Sequence, residues 1–140
     1  MEYHKLLMTD VDRLLAFYTG LAPAVTETYR PFATISHEVM REHLSGAAAG
    51  SHISSALVED GLIVGRSFIM NAQQANPVFG IGIADTCHGK GWGRMLMGRV
   101  LAEAQELGIR HITLTVLKYN AIALSLYKSF GFQIVSDHTF

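Results

Sequence analysis

Two clusters in the second half of the chain have residue types and spacings that chemistry can use. The first is Cys87-His88-Gly89-Lys90-Gly91-Trp92-Gly93-Arg94. Its glycines sit between an apolar strand pattern and a long helical one. In that setting the free N–H groups of the first helical turn point outward at the positive end of the helix dipole, where they suit phosphate oxygens. Missing side chains let a ligand approach the backbone, and Lys90 and Arg94 add positive charge. Two common phosphate loops do not fit. A Walker loop needs a glycine five positions before Gly89 and a Ser or Thr after the lysine, but Ala84 and Gly91 stand there. A dinucleotide fingerprint starting at Gly91 needs Gly or Ala at position 96, which is Leu96. A turn that only reverses the chain is the alternative reading of the same residues.

The second cluster is Asn120 with Tyr127, seven residues apart in a helical pattern. Two helical turns put both on one face about 10 Å apart. Ala123 between them leaves room beside the helix. Taken singly, Asn120 also reads as an N-cap and Tyr127 as a core tyrosine.

The elements that must position these clusters follow from pattern. Tyr3 to Leu7 suggests a short strand. Thr9 is the expected cap of a first helix ending at Gly20, with Leu14, Leu15, Phe17 and Tyr18 as its apolar stripe. Ser36 caps a second helix through Met40 and Leu44. Ser45 to Ser51 reads as a loop, with a weaker loop at Asn71 to Pro77. Ile53–Val58 and Leu62–Met70 read as strands joined by the turn residues Glu59-Asp60-Gly61. Val78–Ala84 is an apolar strand in which Gly80 and Gly82 suggest a bulge or a close backbone approach. A helix then runs to about Leu107, with Leu96, Val100, Ala104 and Leu107 inward and Arg99, Glu103 and Glu106 outward. His111–Leu117 is a strand, Asn120 opens a helix through Phe130, and Phe132–Val135 is a final strand. This order implies an α/β (mixed α+β) fold, a mixed sheet with helices packed on it.

Composition excludes several classes. The 140 residues suit one domain with one core, and their pattern shows no linker or repeat. At 49% hydrophobic and 16% charged the chain is not of the disordered type. A net charge of −1 leaves no basic footprint for nucleic acid. No apolar run is long enough for a membrane span, and the N-terminus lacks a secretory pattern. A lone cysteine, Cys87, fits the reducing cytosol, so the expected location is cytoplasmic. The seven histidines are scattered without HxxxH or CxxC spacing, so no metal is expected.

Together the two clusters resemble the signatures of the GNAT superfamily of acyl-CoA-dependent N-acetyltransferases. The first signature, Gln/Arg-x-x-Gly-x-Gly/Ala, is matched by His88-Gly89-Lys90-Gly91-Trp92-Gly93, with His88 replacing the usual Gln or Arg. The second is matched at Asn120, Ala123, Leu126, Tyr127, Gly131 and Phe132. The likeness covers about Gly65 to Val135. It implies a GNAT fold: a mostly antiparallel twisted sheet split between strands 4 and 5, with helices on both faces, over residues 1–140 as one domain. It implies acetyl-CoA lying in that split, its arm paired with the backbone of Ile81, Gly82 and Ile83. It further implies a pyrophosphate cradled by Gly89 to Arg94, with His88, Lys90 and Trp92 in the loop. Asn120 would contact the cofactor arm, and Tyr127 would donate a proton to the departing thiolate.

The implied reaction is direct attack by a primary amine of a small molecule or peptide on the thioester in a ternary complex. Ribosomal-protein alanine acetyltransferases resemble this chain in its second half but carry Glu where Thr115 stands, which argues against a ribosomal N-terminus as acceptor. Asp85 is the nearest candidate base, beside a water chain or plain turn chemistry. Cys87 reads as a small turn residue. The resemblance implies that Glu27, Tyr29, Arg30, Pro31 and Phe32 line the acceptor pocket and select a small polar amine. Family members add a further strand after Gly131-Phe132, so a homodimer that supplies this edge is expected, unless the strand is missing from the sequence. A non-catalytic acyl-CoA sensor on the same fold and another phosphate binder, such as a nucleotide protein, are the rival expectations.

Overall fold

The computed structural model describes residues 1–21, 32, 34–116 and 120–133, with only the backbone of Asp85. Four antiparallel strands form the sheet in the order β1-β2-β3-β4: β1 is Glu2–Lys5, β2 Ile53–Glu59, β3 Leu62–Met70 and β4 Val78–Ile83. Helices α1 (Val11–Thr19) and α2 (His37–Ala48) precede β2. Helices α3 (Trp92–Glu106) and α4 (Ala121–Ser129) follow β4.

Local sequence explains these boundaries. The side chain of Ser36 accepts a hydrogen bond from the Val39 N–H and starts α2. Asp60 and Gly61 take φ of 53° and 78°, so a two-residue turn with both φ positive joins β2 to β3, matching the strand twist. Gly108 and Gly131 adopt φ of 78° and 94° just beyond α3 and α4.

The strand period of two sorts side chains onto two faces. On one face Ala56 and Val58 pack with Leu14, Phe17, Met40 and Leu44 of α1 and α2. On the other, Ile53, Ile69 and Phe79 pack with Met97, Val100 and Ala104 of α3. Each fully buried aliphatic side chain contributes about 1.5–3 kcal/mol of transfer free energy.

Several expectations need correction. Thr9 does not cap α1. A 3-10 turn at Met8–Asp10 comes first, and the Asp10 carboxylate accepts from the Leu7 N–H at 2.8 Å. The expected loop from Ser45 is helical to Ala48, because two alanines prolong the helix until Gly50 turns it at φ 87°. Leu107 does not face inward. It is 64% exposed, lying past the last turn of α3.

The Gly80/Gly82 segment carries no bulge, since β3 and β4 pair in unbroken register. The irregularity lies between Leu57 and Val58 on β2. Gly80 instead makes room for a ring: a Cβ there would stand 2.1 Å from Phe68 Cζ. The strand expected at His111–Leu117 is reduced to one parallel bridge, Val78 with Thr113, and Leu117 lies outside the described residues. Of the expected strand Phe132–Val135, Phe132 and Gln133 are in no strand and the rest lies outside the described residues.

Candidate functional site

The two edges of β4 differ. One is paired with β3 from Val78 to Ile83. The other is paired only at its start, where Phe79 N–H donates to Thr113 C=O at 2.8 Å and Thr113 N–H donates to Pro77 C=O at 2.9 Å. Beyond that bridge the second edge has no backbone partner among the described residues. Strand geometry turns the N–H groups of Ile81 and Ile83 the same way as that of Phe79, so they face this open edge. Gly82 faces β3 and spends its backbone groups on that ladder. The carbonyl of Ile83 is already held: His88 Nε2 lies 2.7 Å from it and donates. What the open edge offers among the described residues is therefore the C=O of Phe79, the N–H and C=O of Ile81 and the N–H of Ile83.

The glycine loop lies directly after this edge. Asp85–Cys87 form a 3-10 turn, and the Cys87 thiol is buried in it, 7% exposed, away from any attacking position. Gly89 and Gly91 take φ of 74° and 81°, and a Cβ on either would meet nothing within 4 Å. The glycines serve backbone shape, and the space above them is open. Gly91 is the N-cap of α3, a helix of 15 residues whose first N–H groups open here. Gly93 has a different duty. A Cβ would stand 3.3 Å from Ile83 Cδ1 and 3.8 Å from Leu126 Cδ2, so its absence lets α3 start close against β4 and α4. Lys90 is exposed. Arg94 is committed sideways, donating to Ser129 Oγ at 3.0 Å with its guanidinium over the Phe130 ring at 5.6 Å.

Helix α4 carries the second cluster. Asn120 is its N-cap, and its side-chain oxygen accepts from Ala123 N–H at 3.2 Å. That bond uses only the oxygen, and the amide NH2 of Asn120 has no hydrogen-bond partner among the described residues. The Tyr127 ring packs edge-on against Phe79 and Phe132, each at 6.2 Å between centroids. Its hydroxyl makes no hydrogen bond to the described residues. Burial pushes its pKa up to about 12, so it holds its proton at neutral pH.

The structure thus brings β4, the glycine loop and α4 to one side of the sheet. It does not describe the side chain of Asp85. Of the expected acceptor residues, Glu27, Tyr29, Arg30 and Pro31 lie outside the described residues, while Phe32 is packed against Tyr18, His43 and Phe68. Two cavities, of about 200 and about 430 Å³, lie elsewhere, the first beside Lys5, His52 and Glu103, the second beside Pro77 and Leu107 to His111. Among the described residues no group of three His, Cys, Asp or Glu is placed to hold a metal ion. No helix among them is long and apolar enough to cross a membrane.

Sequence reasoning missed a polar cage on the opposite face, between β2–β3 and α1–α2. Arg66 is fully buried at 0% exposure, and none of the ion pairs among the described residues involves it. Its Nη2 donates to Ser54 Oγ at 2.9 Å and to His43 Nε2 at 3.0 Å, while its buried Nε and Nη1 have no hydrogen-bond partner among the described residues. A guanidinium only donates, so His43 must accept through Nε2 and carry its proton on Nδ1. Burial first, and then the adjacent Arg66 charge, hold His43 down at a pKa of about 3, so its ring is neutral. The guanidinium also lies over the rings of Phe68 at 4.7 Å and Tyr18 at 5.8 Å. An arginine in a strand otherwise reading Leu-Ile-Val-Gly-x-Ser-Phe-Ile-Met was the available signal.

The chain as a whole is similar to known proteins. The model of the family described as "Acetyltransferase (GNAT) family" matches residues 16–132. The [Ribosomal protein bS18]-alanine N-acetyltransferase of Haemophilus influenzae is 29% identical over 84 residues, which span 60% of this chain and 57% of that protein. The acetyltransferase of GNAT family from Streptococcus pneumoniae superposes with a TM-score of 0.79 at 25% identity, covering 96% of this chain and 84% of the other. A structure of yncA from Salmonella typhimurium with its cofactor acetyl-CoA gives a TM-score of 0.81 at 17% identity, covering 97% and 81%.

Proposed function

This chain belongs to the GNAT acetyltransferase family, and from that premise we propose that it moves an acetyl group from acetyl-CoA to a primary amine by direct attack in a ternary complex. The observation that carries this is the second edge of β4, which loses its partner after Thr113 and runs straight into the open tip of α3. The N–H and C=O of Ile81 and the N–H of Ile83 suit the amide-rich arm of the donor as a strand would. The N–H groups from Gly89 to Arg94 suit its pyrophosphate, with Lys90 as the exposed cation. The unspent amide of Asn120 is a further donor to the arm.

The amine attacks the thioester carbon and the C–S bond breaks. A backbone N–H of the open edge stabilises the oxygen as it gains charge. Tyr127 supplies the proton that the departing sulfur needs. Burial weakens the phenol as an acid, but it also makes a thiolate formed beside it more basic, so donor and acceptor stay matched. An alkylammonium must lose a proton before it attacks. Water, or Asp85 at the end of β4, takes that proton.

Release of free thiol from acetyl-CoA across a panel of primary amines tests the reading. Turnover with at least one amine is expected, together with a rise in melting temperature on adding CoA thioesters. Stabilisation by acetyl-CoA without thiol release from any amine would make the chain a binding module instead. Stabilisation by ATP but not by CoA would remove the donor assignment as well.

A further inference from the structure

The donor reading uses two neighbouring regions, the open edge of β4 for the amide-rich arm and the first turn of α3 for the pyrophosphate. One molecule fills both only if their separation is set. The chain between them runs from Ala84 to Gly91 and includes Gly89 and Gly91, both at positive φ. Glycine is the residue with the most backbone freedom to lose, so such a segment has to be tied down to hold one shape.

Ile83 is the joint. Its C=O accepts from His88 Nε2 at 2.7 Å. Its Cδ1 lies 3.3 Å from where a Cβ on Gly93 would stand, so its side chain packs on the first turn of α3. Behind it, Ala84 N–H is anchored to Val64 C=O at 2.8 Å, and Cys87 N–H closes the turn onto Ala84 C=O at 2.9 Å. Of the hydrogen bonds in this set, only that from His88 is made by a side chain. Its ring is exposed, so it can be removed without opening a cavity in the core.

We infer that His88 is a positioning residue, whose ring holds the end of the β4 edge and the tip of α3 at the separation that one donor molecule spans. A ligand that touches both regions gains from having them fixed beforehand, and one that touches a single region does not. The inference rests on the donor assignment above, and its test separates the two.

Dissociation constants of CoA and of its two halves, pantetheine and adenosine 3′,5′-bisphosphate, are measured by calorimetry for the wild type and for His88→Ala, His88→Gln and His88→Asn. CoA should bind His88→Ala about 3- to 10-fold more weakly than the wild type, the worth of one hydrogen bond. Each half should bind the two proteins alike. His88→Gln, whose terminal amide reaches as far as Nε2, should restore CoA binding. His88→Asn, whose amide stops at the place of Nδ1, should not. Unchanged CoA binding in His88→Ala, an equal loss for CoA and either half, or no recovery in His88→Gln would overturn the inference and leave the donor assignment standing. None of these readouts needs turnover, so a chain that binds CoA but acetylates no amine still decides the role of His88. A wild-type chain that binds no CoA would remove the inference and the donor assignment together.

Discussion

The two faces of the sheet handle polar groups in opposite ways. Around the open edge of β4 the working groups are backbone N–H and C=O, exposed because side chains are missing at Gly89 and Gly91 and because the neighbouring strand departs after Thr113. Around Arg66 the working groups are side chains gathered from α2, β2 and β3 and sealed under aromatic rings. The first arrangement takes any ligand whose own backbone-like amides and phosphates fit. The second encloses one charge in one place.

The contrast can be broken at several points. The largest effect is expected at Tyr127. Tyr127→Phe should lower kcat by about 10- to 1000-fold, the range of a general acid, with acetyl-CoA affinity barely changed. An unchanged rate in a steady-state assay would remove the acid role and leave the ring as packing between Phe79 and Phe132.

Next is Gly80, which stands opposite Phe68 in the β3–β4 ladder. Gly80→Ala puts a Cβ 2.1 Å from Phe68 Cζ, and the buried ring has to move. A loss of about 1–3 kcal/mol in denaturant unfolding is expected from such overpacking. No loss would show that the ring relocates freely and that the cage is softer than its burial suggests.

Acid should act on the cage before it acts on the open edge. His43 stays neutral in the folded chain, with a pKa of about 3, against 6.5 when unfolded. Between those values the unfolded chain binds a proton that the folded chain refuses, so stability rises with pH. The contribution is complete above about pH 6.5 and drains away as pH falls toward 3, by up to about 1.4 kcal/mol per unit. From pH 7 to pH 5 this amounts to about 2 kcal/mol. His43→Gln, which keeps an acceptor for Arg66, should flatten the dependence of melting temperature on pH. A variant as acid-sensitive as the wild type would place the effect elsewhere.

The smallest expected change sharpens the contrast at Asn120. Asn120→Asp keeps the oxygen that caps α4 but loses the amide donor. Stability should hold within about 0.5 kcal/mol, since Asn and Asp cap equally well, while KM for acetyl-CoA rises. An unchanged KM would confine Asn120 to capping.

The same contrast explains what the sequence made legible. A site built from backbone must remove side chains at fixed intervals, so Gly89, Gly91 and Gly93 stand out, as do Asn120 and Tyr127 two turns apart on one helix. Even there the duties differ on inspection, with Gly93 serving close packing and Arg94 bound to Ser129. The cage leaves no such trace, because Arg66, His43 and Ser54 come from three elements at unrelated intervals and only strand pairing brings them together. Gly80 was legible as a close approach, but what approached it was a phenyl ring across the ladder rather than a bulge. The strand at 111–117 failed for a related reason: alternation of apolar and polar residues reports a face to bury, and a stretch can bury Ile112 and Leu114 against the α3 side while touching its neighbour at Thr113 alone.

The Phe68 ring over Gly80 ties β4 to the buried Arg66. Bulk gained at position 80 displaces the ring at position 68, so Phe68→Leu should relieve part of the cost of Gly80→Ala. Yet Phe68 is also the surface on which the Arg66 guanidinium rests. A larger residue at position 80 of β4 therefore disturbs the ring on which the buried guanidinium rests.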